Sequence, residues 1–304
     1  MVAVDVGGTG IKAGLVARDG TVHHRRRVPT GVEQGPEAVV GNLLRVAGEL
    51  AAAARAGGLD PAGVGVVVPG IVDEARGLLV RTANLGLHDL PLAARVSTEL
   101  GLPTRLGHDV RAGGIAEARL GAGRGARQVL FVAVGTGIAA AHVVDGRAAP
   151  GAHGAAGELG HVVVRPDGPP CGCGGRGCLE TVASAAAVGR RYAERAGGPA
   201  DARRVAAAVA AGHATAAAVW REAVGALADG LVIGQAMCDA ERIVIGGGLA
   251  EAGETLLAPL RTALKERLTF HWEPELVPAA LGDEAGCIGA GLVGFDALRP
   301  GPAA

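Results

Sequence analysis

VAVDVGGTGIKAGLVARDG, running from Val2 to Gly20, consists of two β-rich segments joined at Gly7-Gly8-Thr9-Gly10 and closed by an Asp19-Gly20 turn. Short apolar runs bounded by glycine and Asp-Gly read as paired strands. The arrangement recurs in VLFVAVGTGIAAAHVVDG, Val129 to Gly146, where Gly135-Thr136-Gly137-Ile138 answers Gly8-Thr9-Gly10-Ile11. A duplicated hairpin predicts two related halves. Each tip is rich in free backbone N–H groups, which suit phosphates.

Between the copies the pattern predicts a helix over 36–56, a strand in GVGVVVPG from Gly63, a long turn region, and helices over 92–100 and from Asp109 onward. Beyond the second copy come a cysteine loop, Ala-rich helices over 183–196 and 201–237, and a strand in ERIVIGGG. A helix over 254–268, a short strand near Leu276 and a Gly-rich helix from Ala285 follow. Alternating strands and helices make the chain α/β. The duplication places a boundary near Gly107, giving an N-terminal lobe over 1–107, joined by the C-terminal helix at about 292–304, and a larger lobe over 108–291.

At 304 residues the chain can bury two cores of ordinary size. A formal net charge of -1 provides no global attraction for nucleic acid or an anionic membrane. Aromatics at 2% leave few stacking platforms, so recognition falls to hydrogen bonds. The N-terminus holds Asp5 inside its apolar run and has no basic start, unlike a signal peptide or anchor. The expectation is a soluble, cytoplasmic protein with no nucleic-acid or membrane partner.

PPCGCGGRGCLE, Pro169 to Glu180, puts three of the five cysteines within eight residues. In a reducing compartment such a cluster is more often metal-binding or catalytic than disulfide-bonded. With His161, the thiols of Cys171, Cys173 and Cys178 form a set suited to closed tetrahedral Zn²⁺, making 161–178 a candidate zinc loop. The alternative is a cluster of reduced thiols in a flexible loop. Cys238 and Cys287 each lie alone on an expected helix, where a buried small hydrophobe is the simpler reading. Glu158 and Glu180 flank the zinc loop, so a metal cross-link would fix both carboxylates in position for sugar hydroxyls; otherwise both are surface charges.

DVGGTGIKAG, GHDVRAGG, VGTGI, GAHGAAGELGH, CGCGGRGCLE and IGGGL resemble, in order and spacing, the ROK family of bacterial sugar kinases and repressors. The likeness covers nearly the whole chain. It implies an actin-like ATPase (ribonuclease H-like) fold with two lobes around a central cleft, a structural Zn²⁺, and usually a homodimer. The implied activity is ATP-dependent phosphorylation of a hexose at its 6-hydroxyl, of glucokinase type.

Residue by residue, the resemblance makes Asp109 the general base and lets Asp5 help hold Mg²⁺. Gly7, Gly8, Thr9, Gly135, Thr136 and Gly137 would surround the phosphates, with Lys12 adding charge. Gly246, Gly247 and Gly248 would let the nucleotide approach closely, and Glu158, His161 and Glu180 would contact the sugar, His161 also binding zinc. Gly70 and Asn84 match the remaining edge of the sugar pocket; a loop turn and a helix cap are their plain alternatives. For Asp109 the alternative is an N-cap, which is compatible with catalysis.

One departure bears on the substrate. The family usually has Asn-Asp at the base position and another Asn shortly after, whereas this chain has His108-Asp109 and Arg111. Imidazole is larger than an amide and offers one group in each hydrogen-bonding role. His108 at a sugar-facing position therefore points to an amino sugar or a hexose differing from glucose at C3 or C4, with N-acetylhexosamine, 3-amino-3-deoxyglucose and allose as candidates. A non-catalytic sugar-responsive regulator is the remaining class. Family repressors carry an N-terminal helix-turn-helix, and this chain begins directly at the first strand.

Overall fold

The computed structural model describes residues 1–298. From the N-terminus, β1 (Val2–Val6), β2 (Gly10–Val16) and β3 (Val22–Pro29) precede α1 (Pro36–Ala56). Strands β4 (Val64–Val68), β5 (Ile71–Asp73), β6 (Leu78–Arg81) and β7 (His88–Leu90) lead to α2 (Leu92–Leu100), β8 (Thr104–His108) and α3 (Asp109–Leu120). Next come β9 (Gln128–Val134), β10 (Ile138–Val144) and β11 (Arg147–Ala148), then α4 (Leu179–Ala183), α5 (Ala185–Ala196), α6 (Ala202–Ala210) and α7 (Ala214–Cys238). Strand β12 (Arg242–Gly246), α8 (Glu254–Arg267), β13 (Glu275–Pro278) and α9 (Ala285–Ala297) complete the described chain.

These elements form two units. The first comprises Met1–Leu120, Ala148–Ala156 and the segment from Asp283; the second comprises Gly121–Arg147 and Gly157–Gly282. The first unit's sheet has the order β3-β2-β1-β4-β8 and the second's β11-β10-β9-β12-β13. In both, the leading strand runs antiparallel to its hairpin partner and parallel to the strand on its other side. The duplication expected from the glycine hairpins thus extends to whole sheets.

In the first unit, Val39, Leu43, Val46 and Leu50 recur at helical spacing on α1 and are buried in the same core as Val2, Val4 and Val66 of β1 and β4. Helix α9 packs differently, by backbone. A Cβ at Gly65 of β4 would collide with the Ala290 carbonyl of α9, and one at Gly289 with the Ala112 carbonyl of α3. That α3–α9 packing keeps α3 in the first unit, so the chain crosses between units after Leu120 and not near Gly107. Helix α9 groups with the first unit; the portion of the 292–304 expectation beyond residue 298 lies outside the described residues. In the second unit, Val219, Trp220, Ala223, Leu227 and Leu231 of α7 share a core with Leu130 and Val132 of β9.

The structure trims one expected helix, over 183–196, and divides another. Ser184 ends α4 and caps α5, its Oγ accepting the Ala187 amide at 3.1 Å. Gly212, at φ 79°, separates α6 from α7 inside the expected 201–237 helix. Strand β3, VHHRRRVP, and the three-stranded sheet β5-β6-β7 were not expected. Strand β3 is a charged edge strand with no apolar alternation to betray it. Among the described residues, no helix is long and apolar enough to cross a membrane.

Asp229 of α7 joins the approach to the cysteine loop to α8, accepting from Arg165 Nη1 and Arg267 Nε at 2.6 Å each. Burial would raise its carboxyl, but hydrogen bonds from Arg267 and Arg165 outweigh it and hold the group below the usual carboxylate range. A carboxylate depressed in the folded state adds stability above its unfolded value of ~3.9 and loses it as pH falls through the folded value. Asp229→Asn should therefore destabilise by ~1 kcal/mol at pH 7, a low figure because these groups are partly screened by solvent. In urea melts, the gap between variant and parent should narrow as pH falls below ~4.

Candidate active site

In the first unit, the glycine turn after β1 is closed by Gly7 N–H donating to Gly10 O at 2.9 Å. Thr30, fully buried after β3, braces it, its hydroxyl donating to Gly7 O at 2.6 Å and its amide to Thr9 O at 3.3 Å. The Asn84 amide lies against Gly8, where a Cβ would sit 2.9 Å from its Nδ2. A cavity of about 550 Å³ opens beside the turn, lined by Asp5, Gly7, Thr9, Lys12, Arg27 and Asp283 among others.

Asp5 faces Lys12 across the β1–β2 ladder, and Gly286 of α9 is close enough that a Cβ there would strike the carboxylate. Burial first, then the Asp109 charge, pushes the Asp5 carboxyl up to about 7, with Lys12 opposing and Asp283 adding to the rise. Such a buried carboxylate suits a divalent cation, which would restore its charge. Lys12 is less free than expected: its Nζ lies 3.1 Å from Asp283 Oδ1 and donates to Asp283 O at 3.2 Å.

Asp109 is the first residue of α3, where Val110 N–H donates to its Oδ1 at 2.7 Å. Its side chain is 27% exposed, while the adjoining His108 side chain is only 6% exposed. Asp109 thus accepts an amide of the first helical turn and still presents carboxylate surface. His108 Nδ1 lies 3.4 Å from Asp109 Oδ1 and accepts the Arg111 amide at 3.4 Å. Arg111, 3% exposed, pairs with Glu74 at 2.9 Å and donates to Gly154 O at 3.1 Å. His108 and Arg111 are therefore parts of a packed wall behind the base.

Gly70, at φ 100°, turns the chain after β4 so tightly that a Cβ would collide with Arg81 O. Asn84 sits in the turn between β6 and β7, closed by Thr82 N–H donating to Leu87 O at 3.0 Å. It is a turn residue, not a helix cap.

The second unit repeats the glycine turn, with Gly135 N–H donating to Gly137 O at 2.9 Å. Here the turn meets a carboxylate: Ile138 N–H donates to Glu180 Oε2 at 2.9 Å. Glu180 lies in the first turn of α4, two residues after Cys178 at its N-cap. The GELGH segment runs against β10, where a Cβ at Gly157 or Gly160 would strike the carbonyls of Ala140 and Ile138.

His161 Nδ1 lies 3.6 Å from Cys171 Sγ, and Cys173 Sγ lies 3.7 Å from Cys178 Sγ. One ligand atom from each of the four residues falls within 4.8 Å of all the others. A disulfide needs ~2.0 Å between sulfurs, whereas Zn–S bonds of ~2.3 Å place tetrahedral sulfurs ~3.8 Å apart. The set fits tetrahedral zinc. Burial first, then the neighbouring thiols, pushes Cys178 up to about 12, a charge conflict that a dication would relieve. His161 Nε2 faces Glu158 Oε2 at 3.8 Å, so one ring nitrogen addresses the cluster and the other a carboxylate.

The three glycines after β12 have separate duties. Gly246 packs on Phe131, and Gly247 on the Val134 backbone. Gly248 has open space before it and lines a cavity of about 180 Å³ with Ala202, Arg203, Ala206 and Glu251.

The ROK family pattern matches residues 1–294. This chain belongs to the ROK family. It is 34% identical over 310 residues to a glucokinase of Thermotoga maritima, covering 96% of each chain. It is also 34% identical to an N-acetylmannosamine kinase of Citrobacter koseri, covering 96% of this chain and 97% of that one. A ROK family glucokinase from Streptomyces griseus, solved in complex with glucose and AMPPNP, superposes with a TM-score of 0.83 at 29% identity, covering 95% of this chain and 97% of that one. The fold is that of the actin-like ATPases.

Within this ROK chain, Asp5, Gly7, Thr9 and Lys12 gather at the first unit's cavity, and Glu158, His161 and the three cysteines gather at the second unit's loop. Residues that sequence reasoning missed are Glu74, Thr30, Asp283 and, at the smaller cavity, Arg203 and Glu251. Only Asp283 left a trace, as the acidic pair preceding a Gly-rich helix.

A carboxyl raised by folding stabilises fully below ~3.9 and loses that contribution as pH rises through the folded value. Metal-free protein should thus lose stability through Asp5 up to about pH 7. Asp5→Asn should melt above the metal-free parent at pH 8, and Mg²⁺ should raise the parent's Tm but not the variant's. Cys173→Ser should bind less than stoichiometric zinc by elemental analysis and lose several kcal/mol of stability.

Proposed function

We propose that this chain transfers the γ-phosphoryl group of ATP to the 6-hydroxyl of a hexose, as a glucokinase-type enzyme with Asp109 as general base. The observation that carries the reading is Asp109 itself, held by its own helix terminus yet 27% exposed. Family membership and the glucokinase relatives support the reaction class. The S. griseus complex supports a nucleotide triphosphate as donor.

Phosphoryl transfer asks a protein mainly for position and charge neutralisation. Asp109 accepts the hydroxyl proton as the sugar oxygen bonds to the γ-phosphorus. The bond from that phosphorus to the β,γ-bridging oxygen breaks, and ADP leaves with the electron pair. The Gly7–Gly10 turn and the Gly135–Gly137 turn each offer backbone N–H groups that suit phosphate oxygens. Gly248 and Arg203 border the cavity assigned to the nucleoside. Asp5 would help hold Mg²⁺, which supplies charge neutralisation at the phosphates. His161, Cys171, Cys173 and Cys178 would hold Zn²⁺, which cross-links the loop bearing Glu158 and Glu180. Those carboxylates and His161 would bind sugar hydroxyls; Gly70 and Asn84 of the first unit match further sugar-contacting positions of the family. We place the enzyme in the cytoplasm, where its thiols stay reduced, as a homodimer.

A second reading of the substrate has its own observation. His108 and Arg111 stand where the family usually has Asn, and both are built into the wall at the base. A wall of imidazole and guanidinium does not reproduce amide hydrogen bonding, which favours a hexose altered at C3 or C4 or an amino sugar. Equal identity to a glucokinase and to an N-acetylmannosamine kinase leaves both readings supported.

A coupled ADP-release assay over glucose, mannose, allose, glucosamine, N-acetylated hexosamines and 3-amino-3-deoxyglucose separates them. At least one sugar should support turnover, and the highest kcat/KM names the substrate. Asp109→Ala should bind that sugar with near-parental Kd and lose at least ~100-fold in kcat. Near-parental turnover in the variant would remove the base assignment.

A further inference from the structure

A single oxygen brackets Asp109. Glu74 Oε1, in the turn between β5 and β6, accepts the His108 amide at 3.4 Å and Arg111 Nε at 2.9 Å, so it holds the residue before the base and the residue two after it. Inside this bracket, His108 Nδ1 accepts the Arg111 amide and lies 3.4 Å from Asp109 Oδ1. That same Oδ1 accepts the Val110 amide at 2.7 Å. All of these residues belong to the first unit.

Arg111 stiffens the bracket. Its guanidinium is buried, and Nη1 donates to Gly154 O at 3.1 Å and to Ala156 O at 3.4 Å. Gly154, at φ 73°, lies so close to β5 that a Cβ would collide with Val72 O. The carbonyls that receive Arg111 are therefore seated on the strand that leads into Glu74. Nη2 lies 2.9 Å from Glu74 Oε1 but makes no hydrogen bond among the described residues, so charge alone compensates it there. Stability does not require this arrangement, since well-packed apolar residues often replace a buried ion pair without loss. Position is what the pair adds: three segments of the first unit are tied to the turn of α3 that carries Asp109.

We propose that Glu74 and Arg111 are a positioning pair for the general base. Their role rests on the reading of Asp109 as that base. A base must keep its oxygen within hydrogen-bond reach of the attacking hydroxyl, and a misplacement of about 1 Å can cost ~100-fold in rate. The Asp109 carboxylate takes its orientation from the Val110 amide and the His108 ring, and Glu74 and Arg111 fix the main chain on both sides of it. The pair acts through the helix terminus and not on the sugar, to which Arg111 at 3% exposure offers almost no surface.

Glu74→Gln alone would strand a buried guanidinium, so the test replaces both residues as Glu74→Gln/Arg111→Met, which leaves no charge buried. In the ADP-release assay, with ATP and the panel sugar of highest kcat/KM, this variant should lose roughly 10- to 100-fold in kcat. Its KM for that sugar should stay within about 3-fold of the parent's, with unchanged far-UV circular dichroism. A mutant cycle separates positioning from general damage: in the Asp109→Ala background the same substitutions should lower the residual turnover by less than ~2-fold, because residues acting through the base have nothing left to act on. An equal loss in both backgrounds, a change confined to KM, or parental kcat in the pair variant while Asp109→Ala is inactive would overturn the positioning role and leave Asp109 as the base. Near-parental turnover in Asp109→Ala would remove the base reading and the pair's role with it.

Discussion

Close approach of backbone to backbone is the constraint on which the rest of this structure depends. A Cβ at Gly65 would occupy the Ala290 carbonyl, so α9 can lie on β4 only where both side chains are absent or minimal. That seating brings Gly286 against Asp5 and sets the buried environment of its carboxyl. In the second unit, Gly157 and Gly160 do the same for the GELGH segment on β10, and they deliver Glu158 and His161 to the cysteine loop. With aromatics at 2%, the two cores are filled mainly by Val, Leu, Ile and Ala side chains, and glycines let main chain meet main chain at these contacts.

The duplicated sheets show how one local motif is put to two uses. Both glycine turns close with the same kind of amide-to-carbonyl bond. The first is braced by the neutral Thr30 hydroxyl and stands near Asp5, Lys12 and Asp283. The second is braced by the Glu180 carboxylate, which ties it to the first turn of α4, two residues past the Cys178 cap. A turn rich in N–H groups near mixed charge and a turn bound to a carboxylate are electrostatically different places, although their sequences nearly match. Divergence of the two halves lies in what surrounds the turns.

His108 and Arg111 illustrate a departure absorbed by compensation. A guanidinium at 3% exposure needs a partner, and Glu74 supplies it from the turn between β5 and β6. The same Glu74 accepts the His108 amide at 3.4 Å. The three residues thus stand as one bonded group, in which a buried charge left alone would cost several kcal/mol. Glu74 could not be read from the sequence: it lies 37 residues from Arg111, in a segment without periodicity.

Local chemistry, by itself, determined the α/β alternation, the paired glycine hairpins, the helix over Pro36–Ala56, and the four-residue ligand set, because turn residues and ligand types announce themselves within a few positions. The amino-acid sequence did not disclose that Gly246 and Gly247 serve packing while Gly248 faces open space, nor that Lys12 is held by Asp283. It also left β3 and the β5-β6-β7 sheet invisible, since edge strands and short hairpins lack an apolar face of their own. Tertiary structure decided these points for one physical reason: each depends on a partner distant along the chain, and only folding fixes which charges and carbonyls become neighbours.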